Sequence, residues 1–193
     1  MAATGDWVPE VTSEAMRRLL AHAEKVRLSN TDECTLRAFF MAAAHDVLGM
    51  PGPQFQTEWD GFDLLVRVGA LATVIEFKYY MRRRKLGLGG EQLGFKGGPG
   101  RQNEREFDDC VANLRTAGLP GVGDRRLILV YEREANGRFR RSFDRSYGGL
   151  AVGDDLADVQ PLAVGSLEGR VLRPRWLESR TIGELFGRSP NVR

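Results

Sequence analysis

Asp63-Leu64-Leu65-Val66-Arg67-Val68-Gly69-Ala70-Leu71-Ala72-Thr73-Val74-Ile75-Glu76-Phe77-Lys78 decides the fold of this chain. Two runs rich in Val, Leu and Ile flank Gly69-Ala70, a dipeptide that suits a two-residue hairpin turn with glycine at the first central position. If those residues turn, Val68 faces Leu71. Five residues back from Val68 lies Asp63, and five on from Leu71 lies Glu76, so the two carboxylates stand directly opposite each other. Opposed residues have Cβ atoms about 4.5–5.5 Å apart on one face of a sheet. Lys78, two residues on, shares that face. The other face collects Leu64, Val66, Val68, Leu71, Ile75 and Phe77, an expected core set. A slip of one residue destroys both patterns.

Opposed like charges destabilise a sheet. At ~4 Å and an effective dielectric near 20, their repulsion is of order 4 kcal/mol. A divalent cation removes that penalty, and carboxylate oxygens suit Mg²⁺ or Mn²⁺. Such an ion polarises a phosphoryl oxygen, while a nearby lysine orients water or offsets developing negative charge. The bland alternative is a solvated Glu–Lys edge with Asp63 opening a strand.

The elements around this hairpin complete a mixed α/β pattern. Helical spacing predicts a helix over 12–28, capped by Thr12 or Ser13, and a second over 31–48, with Asn30 and Glu33 placed like a capping box. Phe55 to Trp59 fits a strand. Residues 87–100 hold seven glycines and Pro99 and read as a flexible loop. A helix resumes over 102–116, and Leu127 to Tyr131 is short and apolar enough for a buried strand, brought back parallel to an earlier one by the helical crossover. Asn136-Gly137 marks another hairpin, and a short helix is expected near 182–186. The expected architecture is one domain over 1–193. It has a core at about 30–131, an N-terminal helix over 12–28 and a C-terminal extension over 132–193.

Asp63-Leu64-Leu65-Val66 followed by Val74-Ile75-Glu76-Phe77-Lys78 resembles the PD-(D/E)XK nuclease superfamily, and the element order resembles its αβββαβ restriction-endonuclease-like core. The spacing is similar to that of archaeal-type Holliday-junction resolvases. The resemblance implies Mg²⁺ (or Mn²⁺) held by Asp63, Glu76 and the carbonyl of Phe77, with Lys78 at the attacking water. Phe62 stands where the name motif has proline. Many members add a glutamate from the preceding helix. Glu33 is the candidate, continuing the stripe of Leu36, Phe40 and Val47, with its capping-box role equally open. Some members also place a glutamine after the motif strand, where Gln102 loosely fits.

Charge distribution hints at a polyanionic partner, with an ordinary solvated charged face as the equal alternative. The chain carries 28 basic and 26 acidic residues, yet 82–105 holds seven basic side chains against Glu91 and Glu104. Arg82, Arg83, Arg84, Lys85, Arg101 and Gln102 are the candidate nucleic-acid contacts. Residues 125–145 carry seven arginines against Glu132, Glu134 and Asp144. Tyr79 and Tyr80 either stack on bases or simply pack. Cys34 and Cys110 read as buried small hydrophobes, and His22 and His45 as isolated core or surface residues. Gly89 through Lys96 lacks the adjacent Gly-Lys-Ser/Thr of a phosphate-cradling loop. No secretory signal or membrane-spanning run is apparent, and a cytoplasmic location follows. The expected function is metal-dependent hydrolysis of DNA, endo- or exonucleolytic, with a homodimer as an option. The rival is a binding or interaction module without activity on the same fold, which the intact Asp63, Glu76 and Lys78 argue against; RNA is a weaker alternative substrate.

Overall fold

The turn at Gly69-Ala70 joins strand β2 (Phe62–Val68) to β3 (Leu71–Tyr80) with Val68 paired to Leu71 and Leu64 to Ile75. Gly69 has a φ of 59°, which glycine takes without steric cost. These elements belong to a computed structural model that describes residues 6–81, 83–86, 88–96, 101–132 and 155–176. Strand β1 (Gln54–Trp59) pairs antiparallel with β2 across Asp60-Gly61, both at positive φ (50° and 82°). Asp-Gly is the dipeptide that a two-residue turn with φ positive at both positions demands.

Chain order continues through β4 (Arg83–Leu86), β5 (Gln92–Lys96), helix α3 (Arg101–Thr116), β6 (Asp124–Glu132), β7 (Leu156–Val164) and β8 (Leu167–Pro174). Six strands form one mixed sheet in the order β1-β2-β3-β6-β8-β7, in which β3 and β6 run parallel and the other pairs antiparallel. The parallel pair follows from the crossover through α3, as expected. Helices α1 (Val8–Val26) and α2 (Glu33–Leu48) cover one face, where Met16, Leu19, Leu36 and Phe40 pack on Val66, Ile75, Phe77 and Val130. Helix α3 covers part of the other, with Phe107, Val111 and Leu114 over Leu65, Val74 and Leu129. Both parities of β2 and β3 therefore contribute buried apolar residues. Of the expected core set, Leu64, Val66, Ile75 and Phe77 are buried, Val68 is partly buried, and Leu71 beside the turn is 44% exposed. No helix among the described residues is long and apolar enough to cross a membrane.

The helix ends differ from expectation in ways that matter. α1 starts at Val8, four residues earlier, because Pro9 in its first turn is preset for helix. Thr12 is inside the helix, donating its hydroxyl to the Val8 carbonyl at 2.7 Å, and neither Thr12 nor Ser13 caps it. α2 is capped by Asp32, whose carboxylate accepts from the Thr35 amide at 2.8 Å, so the capping box is Asp32–Thr35 and not Asn30–Glu33. Glu33 is thereby released from capping.

The glycine-rich stretch is not wholly a loop. β4 and β5 pair as a separate two-stranded ribbon, Arg83 opposite Lys96 and Lys85 opposite Gly94. High glycine content masked the Leu93-x-Phe95 alternation of a strand. The C-terminal extension also contributes two strands to the main sheet. β7 escaped detection because Pro161 interrupts its apolar pattern; at the sheet edge its missing N–H is tolerated. Asn136-Gly137 and the expected helix near 182–186 lie outside the described residues.

Arg125 and Arg126 are buried, which removes them from any basic surface. Arg125 donates to the carbonyls of Leu114 and Ala117 at the end of α3, and its guanidinium lies 4.3 Å from the Trp176 ring centre. Arg126 pairs with Asp124 (2.7 Å) and Asp6 (2.9 Å). Asp6 also meets Arg173 at 3.6 Å and accepts from Gln160 at 3.5 Å.

Candidate active site

The regular β2–β3 pairing closes at Leu64 opposite Ile75, while β3 continues to Tyr80. Past that point the amides of β3 on the β2 side need other acceptors, and carboxylates supply them. The Phe77 amide donates to Asp63 Oδ2 at 2.7 Å, the Tyr79 amide donates to Glu33 Oε2 at 3.3 Å, and the Asp63 amide donates to Glu76 Oε2 at 3.1 Å. Alternate amides of a strand point to one edge, so Asp63 and Glu33 sit along the same edge of β3. The Phe77 carbonyl, extended in the same residue, faces that edge too.

Lys78 Nζ stands 3.6 Å from Glu33 Oε1 and 3.6 Å from Glu76 Oε1, between carboxylates from α2 and β3. Asp63, Glu76, Lys78 and Glu33 are thus brought together. Two neighbours escaped sequence reading. Arg37 Nη1 donates to the Asp63 carbonyl at 3.0 Å, lies 3.4 Å from Asp63 Oδ1, and also pairs with Glu58. Its spacing of four from Glu33 puts both on one helix face, a signal available in the sequence. Cys110 Sγ donates to Glu76 Oε1 at 3.6 Å. It is half-buried in the site wall, while Cys34 is exposed, so neither is the buried hydrophobe expected.

Partial burial sets the electrostatics. Burial pushes the Glu33 carboxyl up to about 7, against the opposing pull of Lys78. Burial, then the neighbouring Asp63 charge, raises Glu76. For Lys78, burial acts to lower the pKa but is outweighed by Glu33, Cys110, Glu76 and Asp63, and the ammonium is held above its ordinary value. Burial raises the Cys110 thiol to about 12, so it is a neutral donor and not a nucleophile. A cleft of about 330 Å³ opens beside Glu76, between Asp60 and Gly61 of the β1–β2 turn and Asn113 and Thr116 of α3.

Among the described residues, no group of three or more His, Cys, Asp and Glu side chains forms a ready ligand cluster. Two carboxylates and a peptide carbonyl are nonetheless hard oxygen donors. Mg²⁺ is commonly held by one or two carboxylates, with waters and substrate phosphates completing its shell. The donor set fits such an ion in kind.

The remaining candidates lie elsewhere. Gln102 is exposed and donates to Glu106 Oε1 at 3.0 Å along its own helix, so it is not brought to the site. Arg101 begins α3, and Arg83, Arg84 and Lys85 lie in β4. Arg82 falls outside the described residues. Tyr79 and Tyr80 are packed: the Tyr79 hydroxyl is 2.6 Å from Thr31 Oγ1, and the Tyr80 hydroxyl donates to the Asn103 carbonyl at 3.3 Å. His22 and His45 rest against Phe39 and Phe55, away from these groups. Comparison with protein-family models, with curated proteins and with solved structures finds no match to this chain.

Proposed function

We propose that this chain is a metal-dependent nuclease of PD-(D/E)XK type that hydrolyses DNA phosphodiester bonds on a restriction-endonuclease-like core. The observation that carries the proposal is the convergence of Glu33, Asp63, Glu76 and Lys78 at the open end of β3, in the register that the hairpin arithmetic requires. A purely structural edge has no need of three partly buried carboxylates. Like charges there raise the cost of ionisation, as Glu76 feels from Asp63.

Asp63, Glu76 and the Phe77 carbonyl would hold Mg²⁺ or Mn²⁺. When bound, the ion supplies Lewis-acid polarisation of a phosphoryl oxygen. Lys78 orients the attacking water through its ammonium and offsets the negative charge that grows on the phosphate oxygens. Glu33 positions that ammonium from α2. Arg37 fixes Asp63 through its carbonyl and one carboxylate oxygen. The basic positions of β4 lie only a few residues beyond Tyr80 and provide counter-charge for a phosphate backbone near the site.

The test is a cleavage assay on supercoiled, linear and branched DNA in Mg²⁺, Mn²⁺ and Ca²⁺. Cutting in Mg²⁺ or Mn²⁺ that vanishes on chelation supports the proposal. DNA binding without cutting under every condition would leave an inactive binding module as the better reading.

A further inference from the structure

Arg37 Nη1 has more acceptors around it than hydrogens to give. The nitrogen carries two N–H groups, and three oxygens approach it: Glu58 Oε1, the Asp63 carbonyl at 3.0 Å and Asp63 Oδ1 at 3.4 Å. Oδ1 is the farthest of the three, so Glu58 and the carbonyl take the hydrogens. The other carboxylate oxygen of Asp63, Oδ2, is held by the Phe77 amide at 2.7 Å. Oδ1 is therefore the Asp63 oxygen left for a cation, and Arg37 is the cation beside it.

Glu58 holds its place through an unusual backbone. On β1, Thr57 pairs with Leu64 and Trp59 with Phe62, which leaves Glu58 opposite Asp63. Glu58 has a φ of 51°, in the left-handed region that glycine takes freely and glutamate does not. Such conformations cost free energy and gather where function needs them. The side chain is 70% exposed, so it adds little to the core, and its contact is with Arg37. We propose that Glu58 is a positioning residue for the metal site: by taking one hydrogen of Arg37 Nη1, it keeps the guanidinium from closing on Asp63 Oδ1 and leaves that oxygen free to ligate. Without Glu58, the released N–H turns to Oδ1 in a charge-assisted bond, which an arriving ion must break. The inference rests on the nuclease reading above and adds the residue that sets how readily its metal loads.

The experiment measures Mn²⁺ binding to the full chain without DNA, from the electron paramagnetic resonance signal of the free ion. Glu58→Ala should weaken Mn²⁺ binding by about 10- to 100-fold, the range for residues that orient a metal ligand. Glu58→Gln, which keeps a neutral acceptor, should fall between Glu58→Ala and the wild type. In an Arg37→Met background, Glu58→Ala should change nothing further. Melts in chelator should show both Glu58 variants folded, because the side chain is exposed. Their comparison with the wild type stands even if Arg37→Met does not fold. Unchanged Mn²⁺ binding in Glu58→Ala would overturn the proposal and, with the wild type cutting DNA, leave the nuclease reading standing. An equal loss in the Arg37→Met background would overturn it too, because Glu58 would then act by its own charge or as a ligand. A wild-type chain that neither binds Mn²⁺ nor cuts DNA would overturn both.

Discussion

Asp63 and Glu76 lock each other's strands: Asp63 accepts the amide that follows Glu76, and Glu76 accepts the amide of Asp63. The β2–β3 pairing is thus prolonged by side chains where the main-chain ladder ends. Each carboxylate keeps its second oxygen toward cationic or thiol partners, Arg37 for Asp63 and Lys78 with Cys110 for Glu76.

This dual use separates charge from structure. Asp63→Asn keeps an acceptor for the Phe77 amide but not the negative charge. It should melt near the wild type and lose cleavage. Asp63→Ala leaves that partly buried amide unpaired and should also lose about 1–3 kcal/mol of stability. Lys78→Ala should lower the cleavage rate by roughly 10²–10³-fold with the fold retained. Circular-dichroism melts beside a plasmid-nicking assay check all three, and full metal-dependent activity in Asp63→Asn would move the reaction to another site.

Glu33 makes the protein's stability depend on pH in a direction that can be worked out. Its folded pKa, about 7, lies above the ordinary 4.5 because burial outweighs Lys78, with Asp63 and Glu76 adding repulsion. The folded state therefore binds the proton more tightly than the unfolded chain. The associated stability is complete below about pH 4.5 and is lost as pH rises through 7. Glu33→Gln should consequently melt higher than wild type at pH 8 in the presence of a chelator, and the two should converge near pH 4.5. A variant less stable than wild type at pH 8 would show that the Lys78 contact dominates.

The basic positions of β4 and β5 should act together on DNA. Each phosphate contact contributes about 0.9 to the slope of log affinity against log salt. Replacing Arg83, Lys85 and Lys96 with Ala should flatten that slope by up to about three, without altering which sequences are bound. An anisotropy salt titration in Ca²⁺ gives the value. No change would place the phosphate track elsewhere.

Arg125 offers the opposite expectation. Its guanidinium closes the C-terminal end of α3 through two carbonyls and stacks on Trp176. Arg125→Ala should therefore cost about 1–3 kcal/mol in a urea melt and leave the salt slope of DNA binding untouched. A flattened slope would return this arginine to the binding surface.

Local chemistry explains which of these features were legible beforehand. The Gly69-Ala70 turn set one register, and with it the meeting of Asp63, Glu76 and Lys78. Asp60-Gly61 carried an equally strong turn signal for β1. The cap of α2 was misjudged by two residues because Asn30 and Asp32 are both good caps, and only the tertiary placement of Glu33 against Tyr79 distinguishes them. β7 was hidden by Pro161, which becomes acceptable only at an edge, and edge position is a property of the assembled sheet. Arginine density around 125 looked like a binding surface because linear charge gives no sign of burial.

Asp6 touches Gln160 across 154 residues of chain. It also meets Arg126 and Arg173, which lie on β6 and β8. During synthesis, the amphipathic α1 emerges well before β7 and β8, which supply part of its cover. Closing so long a loop is entropically slow to reward. The hairpin that gathers the carboxylates is local and completes early, while α1 waits with an apolar face unshielded. A growing chain would thus hold its chemistry before its armour, because β7 and β8, made long after α1, help to fasten that helix down.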